Sequence, residues 1–210
     1  MYIPRSFREE RPEPLNEVIR AHPLGLLVTH GASGLQATPV PFLLYPSEGT
    51  HGVLRAHLAR ANPHWKDLDA VQECLVMFQG EDGYVTPSWY PSKAETHRVV
   101  PTWNYVAVEV RGKPVVRDDA SWLHRLVDDL SRQHEGIRPR PWSVDDAPAD
   151  YISTQLQAVV GIEIVIERIE GKWKLSQNKP EGDRRGVIQG LHDPDDPHGN
   201  ARLGDLLEGG

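Results

Sequence analysis

The sequence predicts an α+β fold built on an antiparallel barrel or closed sheet with peripheral helices. Three observations carry that expectation. Two apolar runs, Leu24 to His30 and Leu35 to Tyr45, flank the Gly-rich turn GASG, the pattern of a β-hairpin. Val160, Ile162, Ile164 and Ile166 alternate with Gly161, Glu163, Val165 and Glu167, the period-two signature of a strand. About seven such segments follow one another through short turns, with helical spacing only in scattered stretches and no internal repeat.

Taken in order, Met1 to Pro14 reads as an extended, proline-marked lead-in. LNEVIRAH places Leu15, Val18 and Ile19 at helical spacing, and Pro23 ends that helix. In the hairpin that follows, Pro39 and Pro41 mark an edge or a bulge in the second strand. Residues 52–58 form a third strand, with Arg55 and His57 on the opposite side of the pleat from its apolar residues. Asn62 then caps a helix with Pro63 at its first position and Trp65, Leu68 and Val71 as its buried stripe. Residues 75–79 are read as a fourth strand, EDG as a hairpin turn, and YVTPSWY as a fifth strand. Val106, Val108 and Val110 alternate along a long strand in which Gly112 marks a bulge. Ser121 is read as the cap of a helix carrying Trp122, Leu123, Leu126, Val127 and Leu130 on one face. A proline-rich connection and a short helix (ISTQLQAV) lead to strand 160–167, whose hairpin partner ends in KLSQNK, and PEGDRRGVIQGL is helical. The organisation expected is one domain, residues 1–191, with residues 192–210 a polar, flexible tail.

Length and composition narrow the functional classes. With 210 residues and 39% hydrophobic content, the chain suffices for one substantial domain. Lys and Arg number 23 against 30 Asp and Glu, for a net charge of −7, which argues against a broad phosphate-binding surface. The most basic local patch, RPRP at Arg138 to Pro141, is short. Cys74 is the single cysteine and sits in the apolar run CLVMF, so it reads as a small buried hydrophobe rather than a nucleophile. The amino terminus is too charged for a signal peptide and no window spans a bilayer, so the expectation is a cytoplasmic protein. No GxGxxG after a strand, P-loop, HExxH helix or GxSxG elbow occurs. His192 and His198 enclose three Asp in HDPDDPH, which reads as a solvated acidic tail with no metal site.

The stretch from Gly83 to Tyr105, GYVTPSWYPSKAETHRVVPTWNY, concentrates Tyr84, Trp89, Tyr90, Trp103 and Tyr105 among short hydroxyl, amide and ammonium groups. That mixture suits a flat aromatic ligand with a polar or phosphorylated tail, and it equally suits a core hairpin with a proline-stiffened loop. A second candidate lies at HLARANPHW, where the helix beginning at Asn62 would turn its positive end toward Arg60 and His57 and so accept an anion. An ordinary capped helix with surface charges gives the same pattern.

MYIPRSF, HLARANPHW, YVTPSWYPSK, VPTWNYVAVEVRGK and KLSQNK followed by GVIQGL occur in that order. With these motifs the chain resembles the PaiB-type, FMN-binding negative transcriptional regulators of the FMN-binding split-barrel superfamily, over residues 1–191. The resemblance implies a split β-barrel of six strands that forms a homodimer, with FMN at the subunit interface. It makes His57, Arg60 and Asn62 candidates for the phosphate, with Lys93 as a second cation. Thr86, Ser88, Thr102 and Asn104 become partners of ribityl hydroxyls or ring edges, and Trp89 and Trp103 covers of the ring. Lys174, Ser176 and Gln177, in the KLSQN motif, would reach the flavin from the same or the partner subunit. Three roles follow for such a protein: a flavin-dependent oxidoreductase, a regulator with FMN as sensor or structural ligand, or a non-catalytic dimeric scaffold.

Overall fold

The computed structural model describes residues 1–209; Gly210, the end of the expected tail, lies outside the described residues. The chain opens with a 3-10 turn at Arg5–Phe7, strand β1 (Arg8–Glu9) and helix α1 (Pro12–Ala21). Strands β2 (Leu24–Gly31) and β3 (Gly34–Pro41) form the expected hairpin, followed by β4 (Leu43–Tyr45) and β5 (Val53–Ala59). After a 3-10 helix at Pro63–Ala70 come β6 (Cys74–Val85), α2 (Ser92–Thr96), β7 (Thr102–Gly112), β8 (Pro114–Arg117), α3 (Ala120–Glu135) and α4 (Ala149–Gln157). The chain continues with β9 (Val159–Val165), β10 (Arg168–Lys174), α5 (Glu181–His192) and α6 (Ala201–Glu208). The strands make an antiparallel sheet in the order β1-β10-β7-β6-β2-β3 and a second in the order β4-β5-β9-β8, so the α+β class and the antiparallel pairing stand as expected. No described helix is long and apolar enough to cross a membrane.

The chain divides into two compact units. The first gathers Met1–Val18, Gln79–Val108 and the residues from Glu170 on. Its core joins Val85, Tyr90, Val106, Leu175, Val187, Leu191, Leu203 and Leu207. The second holds Ile19–Phe78 and Glu109–Ile169. There the β2–β3 hairpin, in register from Leu24 opposite Pro41 to Gly31 opposite Gly34, buries Leu27 and Val40. Strands β5 and β9 bury Leu54, Ala56, Ile162 and Ile164, and Phe42 meets Phe78 edge to face at 5.8 Å. Proline at two positions of β3 is tolerated because β3 ends its sheet.

Four local expectations are corrected. EDG is not a turn: β6 runs unbroken from Cys74 to Val85. Gly83 instead lies close under α6, where a Cβ would come within 2.8 Å of the Leu203 side chain and force it to shift. Asp119, not Ser121, caps α3; its carboxylate accepts from the Trp122 amide, and the Ser121 hydroxyl donates to it. Asn62 caps its helix as expected, accepting from the His64 amide, but the helix is 3-10. Finally, the segment read as a polar tail carries α6, whose Leu203 and Leu207 are fully buried. Two leucines four apart bury one helical face, and the surrounding Asp, Gly and Pro mask that signal in the sequence.

Candidate functional site

In the second unit, β5 carries His57 and leads through a tight turn to Arg60 and Asn62. His57 Nδ1 is buried without a hydrogen-bond partner, and burial holds the imidazole pKa below its ordinary value. Arg60 is heavily engaged. Its Nε donates to the Gln157 carbonyl at 2.8 Å, Nη1 to Asp118 Oδ2 at 3.0 Å, and Nη2 to both Asp118 Oδ1 and the Val159 carbonyl. Hydrogen bonding to Arg60 in turn lowers the pKa of Asp118. Asn62 spends its side-chain oxygen on the cap. Arg60 and Asp118 also sit at the rim of a cavity of about 710 Å³ lined by Leu123, His124, Ile152 and Leu156.

In the first unit, the YVTPSWYPSK segment is held largely by itself and by the C-terminal helices. Thr86 accepts from the Ser88 amide, and the exposed Lys93 ammonium donates to Ser88 Oγ at 3.4 Å. Trp89 is partly buried; it packs against the first unit's core and donates from Nε1 to Asp196 at 2.9 Å. Ser92 gives both its amide and its hydroxyl to the buried carboxylate of Asp183.

The other candidates converge on the end of β10. Lys174 Nζ donates to Thr102 Oγ1 at 2.6 Å and to the Trp103 carbonyl. Asn104 and Ser176 are buried and bond side chain to side chain at 3.0 Å. Ser176 sits in the left-handed region at φ 62°, a conformation that favours glycine and costs a serine strain. Gln177 braces that bend, accepting from the Leu175 amide at 2.8 Å and donating to the Trp173 carbonyl at 2.7 Å. Its amide therefore serves the backbone. Trp103 remains 53% exposed, with Tyr84 edge-on at 6.2 Å.

Two lysines not singled out as site residues join this group. Lys172 stands 5.2 Å from the Tyr105 ring centre, Lys174 5.9 Å from the same ring, and Lys179 4.7 Å from the Tyr90 ring. Burial first, and then repulsion from Lys172 and Lys179, lowers the Lys174 pKa. Among the described residues none of the three lysines pairs with a carboxylate. The available signal was the spacing: Lys172 and Lys174 are two apart on one strand and so share a face. Chemically, the group offers a polar cationic patch beside the partly exposed rings of Trp103 and Tyr105.

The FMN-binding domain family matches residues 1–168. An uncharacterised protein of Aspergillus fumigatus is 37% identical, covering 91% of this chain and 90% of its own. Protease synthase and sporulation protein PAI 2 of Bacillus subtilis is 31% identical over 99% of this chain and 97% of its own. Among solved structures, the flavocytochrome Anf3 of Azotobacter vinelandii superposes with a TM-score of 0.57 at 16% identity, covering 82% of this chain and 72% of that one. The FAD and heme binding protein of Mycobacterium smegmatis gives 0.55 at 18%, covering 80% and 73%. At those identities the structures bear on the fold alone, and the fold is the split barrel that the motifs implied. With the family match spanning most of the chain and the Bacillus relative nearly all of it, this protein belongs to the FMN-binding domain family.

Proposed function

We propose that this chain is an FMN-dependent redox protein that works as a homodimer, with Lys174 as the principal anchor of the FMN phosphate. The observation that carries the reading is the state of Lys174: half-buried, free of any carboxylate, and fixed through two of its three N–H bonds. That leaves one donor oriented by the protein, with Lys172 and Lys179 adding field, which is the arrangement a dianionic phosphate selects. In the second unit, Arg60 is by itself a less apt anion ligand, because an incoming anion would compete with Asp118 for its guanidinium. The orphaned His57 Nδ1 fits a ligand atom, and its lowered pKa keeps the ring neutral, able to hydrogen-bond without adding charge. Thr102, Asn104 and Ser176 form a prearranged polar frame, and Trp103 supplies exposed aromatic surface for the ring.

When bound, FMN supplies the electron-carrying chemistry, and the protein contributes position and electrostatics. For the dimer, the outward face of β2 and β3 is the candidate surface: Leu24, Leu26 and Leu35 are exposed at 63%, 39% and 74% among Ala37, Pro39 and Pro41. A sheet face of that apolarity is one a second copy would cover.

The test compares FMN with riboflavin, which lacks the phosphate. Lys174→Met is expected to weaken FMN binding about tenfold or more while leaving riboflavin unchanged. An equal loss for both flavins would move Lys174 to the ring, and no loss for either would remove it from the site. FMN-dependent oxidation of NADH or NADPH tests the redox role, and its absence across acceptors would favour a non-catalytic one. Leu26→Glu with Leu35→Glu is expected to give a monomer by sedimentation; an unchanged dimer would discard that face. A second reading, regulation of gene expression, rests on the resemblance of the motifs to negative transcriptional regulators and on the 31% identity to the Bacillus protease synthase and sporulation protein. It predicts sequence-specific retardation of DNA in a gel shift, which the charge of −7 disfavours.

A further inference from the structure

His192 is the last residue of α5, and Asp205 and Glu208, three apart, share one face in the last turn of α6. His192 Nε2 lies 3.7 Å from Asp205 Oδ1 and 3.6 Å from Glu208 Oε1, with all three ligand atoms within 4.8 Å of one another. That nitrogen is closed to water and makes no hydrogen bond, a costly condition for an imidazole nitrogen. The ring reaches this position because residue 204 is glycine: a Cβ there would stand 2.7 Å from Nε2. Electrostatics points the same way. The carboxyl end of a helix carries partial negative charge and disfavours acidic side chains. Here two helix ends and two carboxylates meet, and among the described residues neither Asp205 nor Glu208 pairs with Lys or Arg.

We propose that His192, Asp205 and Glu208 bind one divalent transition-metal cation, which ties the end of α5 to the end of α6. Ligand atoms around a tetrahedral ion with bonds of about 2.1 Å lie about 3.4 Å apart, so the two observed separations need to close by only a few tenths of an ångström. One imidazole nitrogen and two carboxylate oxygens suit zinc or manganese better than magnesium or calcium, which prefer all-oxygen shells. Asp205 and Glu208 are exposed at 73% and 58%, so water completes the shell. His198 has no part in the site; its ring lies 4.7 Å from that of Tyr84. The cation is independent of the flavin and acts on the packing of the C-terminal helices.

The full-length protein, stripped with a chelator, is titrated with zinc chloride by calorimetry and by thermal unfolding. One zinc per chain and a raised unfolding midpoint are expected. His192→Ala and the shape-preserving Glu208→Gln should each weaken binding about tenfold or more, the scale on which metal-site substitutions act, whereas His198→Ala should not. Failure of the wild type to take up zinc, or equal uptake by wild type and Glu208→Gln, overturns the site.

Discussion

Two groups of partly buried cations, one in each unit, are held differently. In the second unit, three arginines are closed into sets with carboxylates. Arg55 reaches Glu163 at 2.7 Å and Glu48 at 2.6 Å, and Arg117 reaches the other oxygen of Glu163 at 2.5 Å. Arg111 takes Glu73 and Glu109 at 2.7 and 2.8 Å. In the first unit, Lys172, Lys174 and Lys179 face aromatic rings and one another, without an acidic partner among the described residues. Matched charge serves the fold, and unmatched, half-buried charge is a cost that a ligand can relieve.

The largest effect that would sharpen this contrast is at Glu163. It is 8% exposed, and the two arginine hydrogen bonds outweigh burial to hold its pKa below the ordinary value. Glu163→Gln leaves two arginines facing a neutral group and is expected to cost about 2–3 kcal/mol in urea unfolding; a loss below ~0.5 kcal/mol would show that the set contributes little.

Lys174→Met should behave in the opposite sense. Removing an uncompensated half-buried charge should leave stability unchanged or raise it by about 1 kcal/mol, even as FMN is lost. A clear destabilisation would make Lys174 a structural residue and dissolve the contrast.

A smaller effect is expected with pH. Burial lowers the pKa of His57 and of His64, whose ring nitrogens bond Thr29 and Thr38 at 2.7 Å each. A depressed folded-state pKa means that the unfolded chain binds protons more readily. The stability these rings contribute is therefore present above the unfolded value, about 6.5, and is lost as pH falls below it. The unfolding midpoint should decline from pH 7 toward 5, with a shallower slope in His57→Gln. The smallest effect concerns Cys74, whose thiol donates to the Gly112 carbonyl and is pushed up to about 12 by burial. The native protein should be inert to thiol reagents at neutral pH, and rapid labelling would mean that β6 opens locally.

Much of this was legible from periodicity. The β2–β3 hairpin, the alternation of β9 and the Asn62 cap follow from local chemistry and occur where expected. The cap of α3, at Asp119 and not Ser121, was a local miss by two positions, but the larger surprises come from contacts between residues distant in the chain. Gly83 looked like a turn residue because the demand of Leu203 is invisible locally. The partner of Arg60 was hidden because Asp118 lies 58 positions away. The Asp196 partner of Trp89 was likewise hidden by a separation of 107 positions. At the end of β10, the KLSQN motif set Lys174, Ser176 and Gln177 side by side, while the division of labour, with Gln177 bracing backbone and Lys174 left without a carboxylate, needed three dimensions.

The discontinuity of the first unit has a consequence for synthesis. Its core draws on Val85 and Val106 but also on Leu203 and Leu207, residues that emerge from the ribosome after the whole of the second unit. The second unit is fully translated once Ile169 has appeared. The second unit is therefore expected to settle before the first, whose segments up to Val108 wait for those from Glu170 on. During that interval Val85 and Val106 lack their final cover. Chains arrested after residue 170 should show protease protection of the second unit alone, and the first should gain it only after α6 is released.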